Sequence, residues 1–197
     1  MNIVPAIPTN FKINAHRIHN YADGNQITTF KTSVIKDRYN NIVSDGTLVT
    51  FFVTNKEGYK SKTSGASING IATAKLLHPD HEDQWTIKAY VEGMANSNTI
   101  ALKYQQAIKD FEISFSKDNR IITVGPLKSF MKQRIPDGLQ VHLAIYRDGV
   151  LKDEAMEHAL NGFTTFQLNP DRFPKGIYKL VFAAAGISKT YTEVNYE

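Results

Sequence analysis

The residues best suited to chemistry form one short segment rich in histidine and acidic side chains, between positions 78 and 83. Imidazole and carboxylate groups are ligands that zinc and similar divalent ions accept. The candidate metal ligands are therefore His78, His81, Glu82 and Asp83. Pro79 and Asp80 are equally typical of a solvated turn between two strands. The related segment Asn169-Pro170-Asp171-Arg172 keeps the turn residues and lacks both histidines, which favours the turn over a metal site.

Two basic runs are the candidate binding segments. Residues 56–62 have the sequence Lys-Glu-Gly-Tyr-Lys-Ser-Lys, and residues 128–134 have Lys-Ser-Phe-Met-Lys-Gln-Arg. Such a run can contact an acidic glycan, a phosphate or a nucleic acid. It can equally be a solvated hairpin, or an edge strand that lysines protect against aggregation. The candidate binding residues are Lys56, Tyr59, Lys60, Lys62, Phe130, Lys132 and Arg134.

The aromatic residues add one more candidate contact. Phe51 and Phe52 are adjacent, so in a regular strand one of them must face away from the core. The outward ring is available to another module or a partner. Trp85, Ile87 and Ala89 are spaced two residues apart, so they lie on the same face of a strand. The apolar Ile87 and Ala89 predict that this face, and Trp85 with it, belongs to the core.

Other classes of function have little support in the sequence. The chain has no nucleophile elbow, Walker loop, dinucleotide fingerprint or His-Glu-x-x-His helix, so we expect no enzyme and no cofactor. The formal net charge is only +4, with basic residues interspersed among acidic ones, so we expect no nucleic-acid partner. No apolar run is long enough to span a bilayer, and residues 1–10 do not resemble a signal peptide.

The elements that must position these residues are β-strands. Residues 47–54 and 139–146 are rich in β-branched and aromatic residues and are bounded by turn residues. Asn-Gly and Asp-Gly pairs recur along the chain, and they accept the positive φ of tight hairpins. Alternation predicts that Val141, Leu143 and Ile145 share one buried face with Leu139. Residues 151–160 contain good helix formers and are either one helical turn or a strand.

The two halves of the chain repeat the same landmarks about 92 residues apart. The matching pairs are Asp45-Gly46 with Asp137-Gly138, Asn69-Gly70 with Asn161-Gly162, Pro79-Asp80 with Pro170-Asp171, and Tyr104 with Tyr196. A period near 90 is too long for a solenoid unit and matches a complete sandwich domain. We therefore predict an all-β chain of two tandem immunoglobulin-like sandwiches. The predicted boundaries are an N-terminal arm at 1–10, a first domain at 11–104 and a second at 105–197.

The first module, over about residues 12–104, resembles the bacterial Ig-like domain group 1, the repeat of the invasin and intimin adhesins. The residues that carry the resemblance are Ala22-Asp23-Gly24, the strand and turn at 34–43, Asp45-Gly46 leading into Val49-Thr50-Phe51, the segment 69–76, and the strand 85–93. The second module keeps only the later landmarks and is a diverged Ig-like repeat.

This resemblance implies a structural or adhesive repeat, and it implies no catalytic residues. The expected function is a non-catalytic spacer and protein-interaction segment of a bacterial surface, secretion, conjugation or phage appendage protein. Its location would be extracellular or at the cell surface, and its partners would be proteins, neighbouring Ig-like domains or a glycan. The alternative is a carbohydrate- or receptor-binding module whose contacts lie in loops at one end of a sandwich.

Overall fold

The computed structural model describes residues 7–129, 134–135 and 137–196. Within these residues the chain is built from strands, with no helix long and apolar enough to cross a bilayer. The strands are β1 Ile13–His16, β2 Tyr21–Ala22, β3 Ile27–Thr32, β4 Leu48–Thr54, β5 Lys60–Ile68, β6 Ile71–Leu77, β7 Asp83–Val91, β8 Ala95–Asn96, β9 Ile100–Gln106, β10 Ile113–Phe115, β11 Ile121–Val124, β12 Gln140–Arg147, β13 Val150–His158, β14 Thr164–Gln167, β15 Gly176–Ala184 and β16 Ile187–Tyr196.

The chain forms two compact units. The first contains Met1–Asn20, Gln26–His78 and Asp83–Tyr104, and the second contains Tyr21–Asn25, Pro79–Glu82 and Gln105–Glu197. Each unit is an immunoglobulin-like sandwich, as the sequence predicts. The two short segments 21–25 and 79–82 fall in the second unit although they come from the first half of the sequence.

Strand β5 joins the two layers of the first unit. The hydrogen-bonded order is β1-β3-β6-β5-β4-β7-β9, with β8 on β7. Strand β2 pairs in parallel with Gln105 and Gln106 at the end of β9, and these residues belong to the second unit. Strand β5 pairs with β4 over 60–66 and with β6 only through Ser67 and Ile68. Gly65 lies at this change of partner, where a Cβ atom would come within 2.0 Å of the Thr73 carbonyl oxygen. A residue without a side chain is therefore needed where β5 passes so close to β6.

The core of the first unit lies between these layers. Phe30 on β3 and Phe51 on β4 are both fully buried, and their rings stack with centroids 5.7 Å apart. Trp85 and Ile87 on β7 also face inward. The predicted core position of Trp85 is confirmed, and Phe52 is the ring of the adjacent pair that faces outward, with 39% of its surface exposed.

The second unit packs a three-stranded sheet, β10-β11-β14, against a four-stranded sheet, β13-β12-β15-β16. Phe166 and Phe182 meet in its core, with ring centroids 6.2 Å apart. The alternation predicted for Val141, Leu143 and Ile145 is confirmed, since all three are buried. The segment 151–160, left open between helix and strand, lies mostly in strand β13.

The repeat extends to individual hydrogen bonds. The backbone N–H of Asn69 donates to Asp45 Oδ1 at 2.6 Å, and the N–H of Asn161 donates to Asp137 Oδ1 at 2.7 Å. Both asparagines have positive φ, 51° and 54°. Each aspartate therefore fixes the tight turn that lies 24 residues further along its own unit.

Backbone contacts recur at the same spacing. In each case a backbone N–H of one residue donates to the backbone carbonyl of another, and the bond in the first unit has a counterpart in the second. The matching bonds are Gly46→Ser67 with Gly138→Ala159, Ser67→Thr47 with Ala159→Leu139, Ile35→Gly70 with Leu127→Gly162, and Val43→Ile35 with Ile135→Leu127. One turn framework is thus present twice, about 92 residues apart.

Candidate functional site

The candidate site is the outward face of the sheet formed by β5, β4 and β7 in the first unit. Strand alternation sends Phe51 into the core and leaves Phe52 on this face. The register places Lys62 of β5 on one side of Phe52 and Lys88 of β7 on the other. The three side chains therefore form one row across three adjacent strands.

A second aromatic ring completes the centre of this face. Tyr90 follows Lys88 by two residues along β7, so both side chains point outward. The Phe52 and Tyr90 rings meet edge to face, with centroids 5.6 Å apart and an interplanar angle of 79°. The Lys88 ammonium nitrogen lies 5.4 Å from the centroid of the Tyr90 ring, within the range of a cation–π contact.

Lysine and threonine side chains surround the two rings. We call Phe52, Lys60, Lys62, Lys88 and Tyr90 the aromatic–lysine face. It lines a shallow depression of about 650 Å³. The other lining residues are Thr50, Thr54, Thr86, Glu92, Gly93 and Thr99. Three lysines therefore face one glutamate, which makes the depression basic around an apolar centre.

The structure separates the residues of the first predicted binding segment. Lys60 and Lys62 lie on β5 within the aromatic–lysine face. Lys56 and Tyr59 lie in the preceding turn, where the Asn55 side chain accepts the backbone N–H of Tyr59 at 2.8 Å. Lys56 and Tyr59 are not among the residues that line the depression.

Sequence reasoning missed Lys88 and Tyr90 as members of this face. The signal was present, because Trp85, Ile87 and Ala89 alternate inward and leave the intervening positions outward. The sequence does not reveal that β4 pairs between β5 and β7. This pairing places Lys62 and Lys88 on either side of the Phe52 ring.

The second predicted binding segment lies only partly within the described residues. Phe130 and Lys132 lie outside the described residues. Arg134 is exposed and forms an isolated antiparallel bridge with Lys128. Binding by this segment stays a prediction.

The acidic and histidine-rich segment is engaged in local structural contacts. One carboxylate oxygen of Asp83 accepts the backbone N–H groups of Lys56 and Gln84, at 3.0 and 2.7 Å. Its other oxygen accepts the Trp85 indole N–H at 3.0 Å. An ion that used Asp83 would compete with these bonds.

The histidines of this segment have different surroundings. His78 is buried, and its ring lies 4.9 Å from that of Tyr104. His81 is exposed and contacts the Asp80 carboxylate at 2.6 Å. Glu82 is exposed as well. Metal binding by this set stays a prediction that the contacts do not favour.

A second basic depression lies at one end of the second sandwich. Its volume is about 400 Å³, and Arg147, Lys152 and Arg172 contribute its cationic side chains. Arg147 donates to the Tyr178 hydroxyl at 3.2 Å, and Arg172 donates to Asp153 at 2.7 Å. Both guanidinium groups are thus held in place, and nearby carboxylates offset part of their charge.

Comparison with known proteins finds similarity at the level of structure. No family model matches the chain, and no curated protein matches it. Its structure is similar to that of the adhesin InvE from Yersinia pseudotuberculosis, with 14% identity and a TM-score of 0.40. That match covers 94% of this chain and 58% of the InvE chain.

Two further solved structures are similar to this chain at the same low level. One is the two fibronectin type-III domain segment from chicken tenascin, with 11% identity, a TM-score of 0.32, and coverage of 95% of this chain and 99% of that chain. The other is a tetra-tandem repeat in the extending region of a large adhesion protein, with 10% identity, a TM-score of 0.33, and coverage of 95% and 49%. This chain therefore spans about half the length of the two adhesion proteins. At these values the likenesses carry no information about ligand or partner.

Proposed function

We propose that this chain is a non-catalytic tandem of Ig-like modules that acts as a spacer and protein-interaction segment. Its setting would be a bacterial surface protein, a secretion or conjugation system, or a phage appendage. We also propose that the modules correspond to residues 11–104 and 105–197, after a short arm at 1–10.

The observation that carries this proposal is the duplicated turn framework. The Asp45 to Asn69 bond and the Asp137 to Asn161 bond have the same geometry and the same sequence separation. The two units keep these turns while their outward-facing strand residues differ. This combination is expected of a structural module that is used more than once. The resemblance of the first module to invasin-type repeats supports an adhesive setting.

The test of the setting is accessibility on the native cell or particle. An antibody raised against the chain is applied to intact cells that express the full natural protein, and then to permeabilised cells. The proposal predicts labelling of intact cells, or of shed appendages, that protease treatment removes. Labelling only after permeabilisation, with a cytosolic marker behaving in the same way, would contradict it.

The basic depression at the end of the second sandwich favours a second candidate function. Arg147 and Arg172 are pre-positioned there, and a guanidinium group pairs well with a carboxylate or sulfate. An acidic glycan is the corresponding ligand. A glycan array with carboxylated and sulfated members tests this, with Arg147→Ala and Arg172→Ala expected to remove saturable binding. Absence of saturable binding by the unmodified chain would rule the candidate out.

A further inference from the structure

The repeat itself shows that the aromatic–lysine face is not a requirement of the fold. Strand β12 occupies the same place in the second unit as β4 in the first, with Ala144 at the position of Phe52. The neighbours of Ala144 are Glu154 on β13 and Val181 on β15. The neighbours of Phe52 are Lys62 and Lys88. The three positions of Phe52, Lys62 and Lys88 therefore have neither an aromatic ring nor a lysine in the second unit, where Tyr146 and Lys179 pair two residues further along the strands.

Protection of a sheet edge accounts for only part of this face. Lys60 and Lys62 lie where β5 pairs with β4 alone, and lysines on such an edge discourage pairing with other chains. Lys88 lies on β7, which pairs with β4 on one side and β9 on the other. Edge protection explains neither Lys88 nor the exposure of 39% of Phe52 and 37% of Tyr90.

The ring geometry indicates the kind of ligand. Bases and sugars stack on open ring planes, and nucleic-acid platforms offer such planes to successive bases. Here the Phe52 and Tyr90 rings pack edge to face, and Lys88 lies over the Tyr90 ring. These contacts leave an uneven apolar centre with a basic rim, the arrangement of a protein–protein contact whose aromatic anchors sit inside a charged border.

We infer that the aromatic–lysine face docks an acidic protein segment. This inference rests on the proposed function and gives the chemistry of its partner. An apolar side chain of the segment packs against Phe52 and Tyr90, and flanking carboxylates pair with Lys62 and Lys88. The three lysines against one glutamate supply the charge complementarity, which speeds association and selects an acidic partner.

The probe is a displayed library of random 12-residue peptides panned on the immobilised full chain. We expect the retained peptides to be enriched in Asp and Glu around an aromatic or leucine residue. One such peptide is then synthesised and titrated. Phe52→Ala and the double variant Lys62→Glu/Lys88→Glu are each expected to weaken its binding roughly tenfold or more, because they remove an anchor or reverse the rim.

Matched variants separate this site from general charge effects. Lys109→Glu/Lys117→Glu makes the same charge change at two exposed positions of the second unit and is expected to alter the affinity less than about twofold. Lys62→Arg/Lys88→Arg keeps the charge and is expected to retain binding. Thermal melting of every variant verifies the fold, and amide shifts on adding the peptide are expected to map to β4, β5 and β7.

Other outcomes would overturn the inference. The first is that no acidic peptides are enriched, or that their binding ignores the Phe52 and lysine variants. A second is tighter binding of hyaluronan, heparin or an oligo-dT strand through the same residues, which would assign the face to a glycan or nucleic acid. A third is concentration-dependent self-association that Lys62→Glu/Lys88→Glu abolishes, which would assign it to a second copy. None of these affects surface labelling, so the proposed function stands or fails separately.

Discussion

Tyr104 and Tyr196 are matching landmarks of the repeat, and their side chains have different partners. Both are almost fully buried. The Tyr104 hydroxyl forms a hydrogen bond of 2.5 Å with the Thr28 hydroxyl. The Tyr196 hydroxyl has no hydrogen-bond partner among the described residues, and its ring stacks on Tyr178 with centroids 4.5 Å apart. The tyrosine hydroxyl is therefore hydrogen-bonded in the first unit. In the second unit it is buried without a hydrogen bond among the described residues, which lowers the stability of the folded state.

Replacing each tyrosine by phenylalanine should reveal this difference. Tyr104→Phe leaves the buried Thr28 hydroxyl without this partner and is expected to lower the free energy of unfolding by about 1 kcal/mol. Tyr196→Phe removes an unsatisfied hydroxyl and is expected to change it by less than about 0.5 kcal/mol, or to raise it. Denaturant titrations of both variants and the unmodified chain measure this. Equal losses would contradict the assignment.

Tyr196 also gives an expectation for alkaline pH. Burial raises the pKa of the Tyr196 phenol well above its usual value of 10.0. The unfolded chain loses this proton near pH 10 while the folded chain keeps it, so stability is fully present below pH 10 and falls as the pH rises further. Tyr196→Phe is expected to flatten this decline in a series of melts from pH 8 to 12. The exposed control Tyr59→Phe should decline as the unmodified chain does.

At the scale of elements, the aspartate-fixed turns hold the strands in register. Asp45 accepts from Asn69 before β6, and Asp137 accepts from Asn161 before β14. Positive φ at both asparagines is tolerated because a short polar side chain and a following glycine suit a tight turn. These turns join parts of each sandwich that are distant in sequence.

Removing either carboxylate should weaken its own turn. Asp45→Ala and Asp137→Ala are each expected to cost about 1 kcal/mol of unfolding free energy, since each leaves a turn N–H without its acceptor. Asn at either position keeps an acceptor oxygen and is expected to cost less. Denaturant titration of the four variants tests this. A smaller loss for alanine than for asparagine would refute the role.

Strand β13 shows how tertiary pairing overrides local preference. Residues 154–159 include several good helix formers, yet β13 pairs with β12 along 140–147. The pairing supplies backbone hydrogen bonds and places Ala155 against the core of the unit. Propensity is a weak prior beside such contacts, which is why the segment could not be assigned from sequence alone.

At the scale of the whole molecule, the two units have separate cores. A substitution that destabilises one unit is therefore expected to leave the stability of the other unchanged. Hydrogen exchange of the full chain, followed by mass spectrometry, is expected to show Asp45→Ala raising exchange in peptides around 44–70 and leaving 136–162 unchanged. Asp137→Ala is expected to do the reverse, because each aspartate bonds only within its own unit. Equal increases in both regions for either variant would show one cooperative body and contradict the proposed modules.

The sequence by itself determined that the chain is built from strands and that its turn landmarks repeat. Alternating side chains reveal which residues of β7 and β12 face inward, since a strand sends neighbours to opposite faces. Paired Asn-Gly turns recur about 92 residues apart and fix the duplication without reference to any partner strand. That alternation also settled that one ring of the Phe51-Phe52 pair had to face outward.

Only the tertiary structure decided which side chains meet. Lys62, Phe52 and Lys88 are distant in sequence, and they form one row because β4 pairs with β5 on one side and β7 on the other. Strand order and register depend on contacts between remote segments, so a local pattern cannot contain them. The contacts of Asp83 are a second example. Its carboxylate accepts hydrogen bonds from the Trp85 indole N–H and the Lys56 backbone N–H, and the spacing of acidic residues in the sequence does not reveal these bonds.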